Sequence, residues 1–225
     1  MRGNMIMYQY YFFDLDGTLT DPGIGITNSV MYSLKKMGRE VKEREELYRF
    51  IGPPLLESYM DYCGFSKEQA EEAIAYYRKY FSEKGIFENE LYPDIPDVLE
   101  SLKSGGKKLV LATSKPEPFA VRILKHFALY PYFDLIGAAT MDGSRSRKED
   151  VIASALDAVG EGAGGRSEIL MVGDREQDIY GAKVNGIDSA GVLYGYGGEE
   201  ELRCAGADYL VKRPSDILNL MRSRT

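Results

Sequence analysis

Several residue types that enzymes often use for chemistry are scarce in this 225-residue sequence. It has one histidine, His126, which excludes a histidine-based catalytic triad and a zinc site built from several histidines. Its two cysteines, Cys63 and Cys204, lie far apart and form neither a disulfide framework nor a metal-binding cluster, so we expect two reduced thiols. No Gly-x-x-x-x-Gly-Lys-Ser/Thr loop occurs, which argues against a P-loop nucleotide hydrolase.

Long apolar runs and an excess of positive charge are absent too. No stretch is long enough to span a bilayer, and residues 1–7 lack the apolar run of a signal peptide. The net charge of −7, with no visible basic patch, argues against a nucleic-acid polymer as partner. We therefore expect a cytoplasmic protein without a membrane partner, either a monomer or a homodimer.

What the sequence does contain is an alternation of short apolar strands and amphipathic helices. After an aromatic strand at residues 8–13, strands are predicted at residues 107–112, 134–139, 168–172, 188–193 and 208–211, with a last helix at residues 214–221. Repeated strand–helix units of this kind predict a doubly wound parallel sheet, a Rossmann-like α/β core. A Gly-rich loop at residues 161–165 precedes a strand instead of following one, so it does not match a dinucleotide-binding fingerprint.

The segment between the first strand and the others has a different pattern. Helical spacing of its apolar residues, and a capping box from Ser66 to Gln69, predict a helical bundle without strands over residues 22–90. We therefore predict a core domain formed by residues 1–20 and 91–225. Residues 21–90 are predicted to be an α-helical bundle inserted into that core.

The first strand ends in two acids, in the segment Asp14-Leu15-Asp16-Gly17-Thr18. In a continuing strand both carboxylates would point to one face, at the sheet edge where open α/β sheets bind their ligands. A carboxylate attacks a phosphate only when their repulsion is removed, and Mg²⁺ held by oxygen ligands removes it. The two acids then suit a nucleophile and a proton donor, although an acidic turn without chemistry gives the same Asp-x-Asp pattern.

The later strands also end in polar residues. Thr113 and Ser114 follow the second strand at a predicted helix start, where they either cradle a phosphate or simply cap the helix. Lys148 begins a helix and offers a cation, although charge alone does not choose between it and two neighbouring arginines. Asp174 lies at the tip of the fourth strand, with Asp178 one helical turn later; the pair suits a metal site, or else is a helix N-cap followed by a surface acid.

Taken in order, these four groups of residues resemble the four signatures of the haloacid dehalogenase superfamily, whose members are mostly Mg²⁺-dependent phosphatases. The helical insert falls where that family has its helical cap. The resemblance implies that Asp14 is the nucleophile and that Asp16 is the general acid and base. It also implies that Thr113, Ser114 and Lys148 hold the phosphate.

The same resemblance implies a Mg²⁺ cofactor. Asp14, Asp174 and the backbone carbonyl of Asp16 would be its protein ligands, and Asp178 would support the site. One departure is visible, because Arg175 follows Asp174 where many relatives have a second acid.

Further segments are similar to the branch that contains phosphoglycolate phosphatases and proteins described as 5′-nucleotidases. They are residues 50–54, 112–117, 172–175 and 191–197. This similarity implies that Gly52 lies in a cap loop facing the active site and that Lys115 lines the cleft. Arg39 and Arg49 are candidates for a second anionic group of the substrate, or else are exposed helix charges.

We therefore predict a Mg²⁺-dependent phosphatase that hydrolyses a small, phosphoglycolate-like phosphomonoester through an aspartyl-phosphate intermediate. The alternatives are a 5′-nucleotidase acting on nucleoside monophosphates, a β-phosphoglucomutase and a pyrophosphatase. A dehalogenase would not need the second acid, Asp16. A non-catalytic binding module fits least, because the acids and the lysine are all present.

Overall fold

The computed structural model of this chain describes residues 5–160 and 165–223. Residues 1–4, and residues 161–164 of the predicted Gly-rich loop, lie outside the described residues. No helix in the described part is both long enough and apolar enough to cross a membrane.

The central sheet has six parallel strands. They are β2 (Tyr10–Phe13), β5 (Lys108–Pro116), β6 (Leu135–Ala139), β7 (Ile169–Gly173), β8 (Asp188–Val192) and β9 (Tyr209–Val211). Their order across the sheet is β6-β5-β2-β7-β8-β9, so the chain winds outward on one side of β2 and then on the other. The predicted doubly wound parallel sheet is confirmed. Its switch point lies at β2, where ligands of such sheets bind.

Helices cover both faces of the sheet and form the insert. The α-helices are α1 (Gly23–Lys36), α2 (Leu55–Cys63), α3 (Lys67–Glu83), α4 (Ile95–Ser104), α5 (Glu117–His126), α6 (Lys148–Val159), α7 (Glu176–Val184) and α8 (Glu199–Ala205). Short 3₁₀ helices span Arg44–Phe50, Gly85–Phe87, Tyr130–Tyr132, Arg166–Glu168 and Pro214–Asn219.

The aromatic residues of β2 divide between the two faces of the sheet, because alternate side chains of a strand point in opposite directions. Tyr11 and Phe13 lie in one apolar cluster, whereas Phe12 lies in a second cluster with Val110 and Met171, its neighbours on β5 and β7. All three aromatic side chains are fully buried. A strand buried on both faces holds its carboxyl end firmly in place, and Asp14 follows at that end.

The helical insert, which we define as residues 22–89, joins the core through two short antiparallel strands. They are β3 (Thr20–Asp21) and β4 (Glu90–Leu91), with Thr20 opposite Leu91. The prediction of no strand up to residue 90 is therefore wrong at that residue, because a two-residue strand carries no readable periodicity. The capping box at the start of α3 is confirmed, since Gln69 N–H bonds to the Ser66 hydroxyl and the Gln69 side chain to Ser66 N–H.

The two chain ends also differ from prediction. A strand β1 (Met5–Met7) pairs antiparallel with β10 (Met221–Ser223), and neither was predicted. The helix predicted at residues 214–221 is a 3₁₀ helix that stops at Asn219, and the chain then turns into β10.

Candidate active site

The carboxyl ends of β2 and β7 bring buried acids together. Asp14 follows β2, and its N–H donates to the carbonyl of Val172 in β7 at 2.9 Å. Asp174 follows β7, and Asp178 lies in the first turn of α7. Carboxylate oxygens of Asp14, Asp174 and Asp178 lie within 4.8 Å of one another. The structure thus places these three predicted residues in one cluster.

A tight turn after β2 makes room for this cluster. The strand ends at Phe13, so Asp14 and Asp16 do not lie in a continuing strand. Gly17 N–H donates to Thr20 O at 2.8 Å and closes the turn. Gly17 has a positive φ of 85°, and a Cβ there would lie 2.1 Å from Asp174 Oδ2. Only glycine lets the backbone approach Asp174 this closely. On another side, Tyr196 N–H donates to Asp174 Oδ2 at 2.8 Å.

Lys148 is the cation of the cluster. It begins α6, and its buried Nζ lies 2.6 Å from Asp14 Oδ1 and 2.8 Å from Asp178 Oδ1. It also donates to Ala112 O at 2.9 Å. Burial lowers the pKa of Lys148, but the two carboxylates outweigh that effect and raise it above its ordinary value, so the ammonium stays charged. The neighbouring Arg147 instead pairs with Glu57 at the surface.

The end of β5 differs from the prediction. β5 continues to Pro116 with a register irregularity after Thr113, and α5 begins only at Glu117. Thr113 and Ser114 therefore lie in a strand end and not at a helix start, because pairing with β6 extends the strand through Pro116. The helix-cap explanation for their hydroxyls is wrong. Thr113 is buried, and its hydroxyl accepts a hydrogen bond from Lys115 N–H at 3.2 Å.

Lys115 connects the core to the insert. Its buried ammonium forms a short ion pair with Asp16 Oδ2 and lies 4.7 Å from the centre of the Phe81 ring of α3. Burial raises the pKa of Asp16, and the charge of Lys115 only partly opposes this shift. The other oxygen of Asp16, Oδ1, is buried without a hydrogen-bond partner among the described residues.

The charges of the site do not balance, and this imbalance suits a metal ion. Four buried carboxylates face the two buried ammonium groups of Lys115 and Lys148; the acids are Asp14, Asp16, Asp174 and Asp178. Burial and neighbouring acids raise the pKa of Asp174 well above its ordinary value and that of Asp178 to about 6. A site of carboxylate oxygens with surplus negative charge fits a hard divalent cation such as Mg²⁺.

A cavity of about 590 Å³ opens beside Asp16, between the insert and the core. Gly52 and Lys115 line it, as the sequence predicted, and so does Ser114. Its insert side is largely apolar, but Lys67, Glu71 and Arg78 of α3 also line it; the apolar residues are Ile26, Phe50, Leu55, Leu56, Ile74, Tyr77 and Phe81. The insert side of the cavity therefore combines an apolar surface with three charged side chains.

Arg39 and Arg49, the two cap arginines singled out from the sequence, do not line this cavity. Arg39 is exposed, donates to the carbonyl of Cys63 at 2.6 Å and lies over the Phe65 ring. Arg49 is also exposed and lies over the ring of Tyr62. Arg49 lies in a 3₁₀ helix and agrees with the alternative, an exposed helix charge, whereas Arg39 lies in the loop that follows α1.

Sequence reasoning noticed Arg175 only as a departure from the family pattern. In the structure its guanidinium bonds both to Glu201 and to the carbonyl of Ile51 in the insert. The arginine in place of a second acid could have indicated this role, because a cation directly after a buried acid needs a partner.

Comparisons with known proteins agree with this geometry. Residues 11–192 match the family described as haloacid dehalogenase-like hydrolase. The chain is 44% identical over 203 residues to a 5′-nucleotidase of Pseudomonas aeruginosa, covering 90% of each chain. It is 32% identical over 212 residues to a phosphoglycolate phosphatase of Aquifex aeolicus, covering 93% of this chain and 94% of the relative. A protein of Mycobacterium tuberculosis named tyrosine-protein kinase PtkA is 42% identical over 189 residues, which are 84% of this chain and 63% of that protein.

A solved structure shows the same fold. The crystal structure of a predicted phosphatase from Clostridium acetobutylicum matches with a TM-score of 0.90 and 48% identity, over 95% of this chain and all of that one. The chain belongs to the haloacid dehalogenase-like hydrolase family. Within that family it is a phosphatase, a phosphoric monoester hydrolase.

Proposed function

We propose that this chain is a Mg²⁺-dependent phosphatase that hydrolyses a small phosphorylated metabolite through an aspartyl-phosphate on Asp14. The position of Asp14 supports this most strongly, since it lies at the switch point of the sheet, 2.6 Å from the Lys148 ammonium and beside Asp174 and Asp178. In the first step a carboxylate oxygen of Asp14 bonds to phosphorus while the bond from phosphorus to the ester oxygen breaks.

Asp16 is placed to move the protons. Burial raises its pKa, which favours uptake of a proton, and in this proposal Asp16 donates that proton to the departing ester oxygen. The resulting carboxylate then takes a proton from the water that attacks the phosphorus and releases Asp14. Lys148, Thr113 and Ser114 hold the phosphoryl oxygens in this proposal.

Asp14, Asp174 and the backbone carbonyl of Asp16 would hold Mg²⁺, with Asp178 in support. The bound cation supplies positive charge that offsets the repulsion between the carboxylate and the phosphate. Residues 21–90 act as the cap domain over a core of residues 1–20 and 91–225, and the cap excludes water from the reacting groups.

The size and lining of the cavity favour a second candidate substrate. A volume of about 590 Å³ lies within the range of roughly 300–1,000 Å³ that proteins use for drug-sized ligands, and it exceeds the need of a two-carbon phosphate. The apolar residues of its insert side suit the flat base of a nucleoside monophosphate, whereas Lys67 and Arg78 on the same side suit the carboxylate of phosphoglycolate. A 5′-nucleotidase activity is therefore the second candidate, with the chemistry of Asp14 unchanged.

Phosphate release from phosphoglycolate, nucleoside 5′-monophosphates, sugar phosphates and pyrophosphate, each with Mg²⁺ and with a chelator, tests both candidates. We expect chelator-sensitive release. A preference for nucleoside monophosphates selects the second candidate, and a preference for phosphoglycolate the first. Fast release from pyrophosphate alone would replace both with a pyrophosphatase. Release from none of them would leave the mutase and the non-catalytic binding module.

A further inference from the structure

The side chain of Arg175 crosses from the core to the insert. Arg175 lies directly after Asp174, and its Nη1 donates to the main-chain carbonyl of Ile51 at 2.6 Å. Its Nε donates to Glu201 Oε1 at 2.8 Å, and the same oxygen accepts the N–H of Glu176 at 2.9 Å. Glu201 in α8 thus fixes the guanidinium on the core side, and a single carbonyl receives it on the insert side.

The next residue of the insert also contacts Arg175. Gly52 has a positive φ of 103°, and a Cβ there would lie 2.9 Å from Arg175 Cγ. The insert chain therefore passes directly against the aliphatic part of the arginine. Arg175 thus makes a polar contact with Ile51 and a steric contact with Gly52, two neighbouring residues of the insert.

That segment is part of the cavity wall. Gly52, Pro53 and Pro54 line the cavity, and the two proline rings fix their own φ angles. The position of Ile51 therefore determines the position of the wall residues that follow it in the chain. The Arg175 side chain is only 12% exposed, so its charge-assisted hydrogen bonds are shielded from water.

We infer that Arg175 is a positioning residue, which holds residues 51–54 against the end of β7 and so sets the cavity wall that receives the leaving group. This inference rests on the proposed function for what enters the cavity, but the contact with the insert does not depend on it. Two donors that point in different directions are needed, and a lysine ammonium does not reproduce that planar fork.

A second ion pair between core and insert supplies a matched control. Arg147 Nε lies 3.1 Å from Glu57 Oε1 of α2, but these side chains are 63% and 45% exposed. Exposed pairs of this kind contribute little, because water and salt screen them. Arg147→Gln removes an arginine that also bridges the two parts, without touching the cavity.

The experiment compares wild type, Arg175→Met, Arg175→Lys and Arg147→Gln. Amide hydrogen exchange followed by mass spectrometry reports on residues 48–58, which include the Ile51 N–H bonded to Tyr48 O. In Arg175→Met this segment should exchange about tenfold faster, as expected when a hydrogen bond to a charged group is lost. β7 should exchange as in wild type. Arg175→Lys should resemble Arg175→Met, and Arg147→Gln should resemble wild type.

Kinetics provide the second readout. In Arg175→Met, KM for a nucleoside monophosphate should rise about tenfold, while kcat/KM for acetyl phosphate, which has little to place against the wall, stays unchanged. Unchanged exchange in residues 48–58 would overturn the inference. An equal loss of kcat/KM with both substrates would also overturn it, because the guanidinium would then act on the catalytic acids and not on the cavity wall. Full recovery in Arg175→Lys would overturn the need for a fork.

Two further measurements keep the test decisive. Should Arg175→Met fail to fold, Gly52→Ala disturbs the same contact from the insert side, and the same exchange and KM changes are expected there. Wild-type exchange and KM in Gly52→Ala would overturn the inference. Should wild type release no phosphate from these two substrates or from any substrate of the panel above, the proposed function fails, and the exchange data still decide the role of Arg175.

Discussion

Lys148 offsets the repulsion between the buried carboxylates of the site. It contacts Asp14 and Asp178 at once, and it is itself buried. A buried charge is tolerated only when it is paired and hydrogen-bonded. The lysine therefore has one oxygen of Asp14 as a partner, and this contact orients that carboxylate.

Asp14→Asn tests the nucleophile. The amide nearly matches the carboxylate in size but does not form a phosphoryl intermediate, so kcat should fall by roughly 10³-fold or more. Asp178 still pairs with Lys148, so Tm should change little. Phosphate release and thermal unfolding measure the two effects.

Asp157→Asn is the control for that variant, since it makes the same chemical change at an exposed position of α6. Its kcat should equal that of wild type. Comparable activity in Asp14→Asn and Asp157→Asn would remove Asp14 from the proposed mechanism.

The acids at strand ends could be placed from the sequence, whereas the two arginines of the insert could not. Asp14 and Asp174 follow apolar strands, and parallel strands bring their ends to one edge of the sheet. Arg39 and Arg49 lie on or near helices whose rotation depends on packing. Their guanidinium groups lie over the rings of Phe65 and Tyr62 and not in the cavity.

At the scale of elements, the turn after β2 combines a positive φ with a close approach to Asp174. Gly17→Ala should strain the turn and displace the Asp174 carboxylate. Gly38→Ala is a matched control, because Gly38 has a similar φ of 72° with nothing within 4 Å of an added Cβ.

We expect Gly38→Ala to cost about 1 kcal/mol of unfolding free energy, and Gly17→Ala to cost clearly more. Only Gly17→Ala should also lose the Mg²⁺-induced rise in Tm. Urea unfolding and thermal unfolding with and without Mg²⁺ measure both effects. Equal costs in the two variants, with the Mg²⁺ effect retained, would show that Asp174 tolerates the added methyl group.

The elements missed from the sequence share a physical cause. β3 and β4 have two residues each and are defined only by their pairing across the ends of the insert. The extension of β5 to Pro116 likewise depends on β6, and β1 depends on β10. Pairing between distant segments leaves no periodic pattern in the local sequence. The long helices and the central buried strands do leave such a pattern.

At the scale of the whole molecule, the surplus acidic charge should control how stability varies with pH. In the metal-free protein the pKa of Asp178 is raised to about 6, and that of Asp174 is raised too. Because a folded-state pKa above the unfolded value of about 4 means tighter proton binding when folded, this stabilisation is complete below about pH 4. It is lost as the pH rises through about 6.

Asp178→Asn isolates this effect, because its side chain has no proton to lose. In the presence of a chelator, the variant should gain Tm relative to wild type as the pH rises from about 4 to 7. Mg²⁺ should reduce that gain, since the cation compensates the ionised acids of wild type. A Tm difference that does not vary with pH would contradict the raised pKa of Asp178.

The pairing of β3 with β4 places the departure of the insert from the core and its return side by side, at Thr20 opposite Leu91. The two points where the insert joins the core are therefore held at a fixed distance by this strand pair. Insertions and deletions in the bundle can accumulate without moving Asp14 or any strand of the sheet. Recognition of the substrate and the machinery for phosphoryl transfer can thus evolve separately, which allows one chemistry to serve many metabolites.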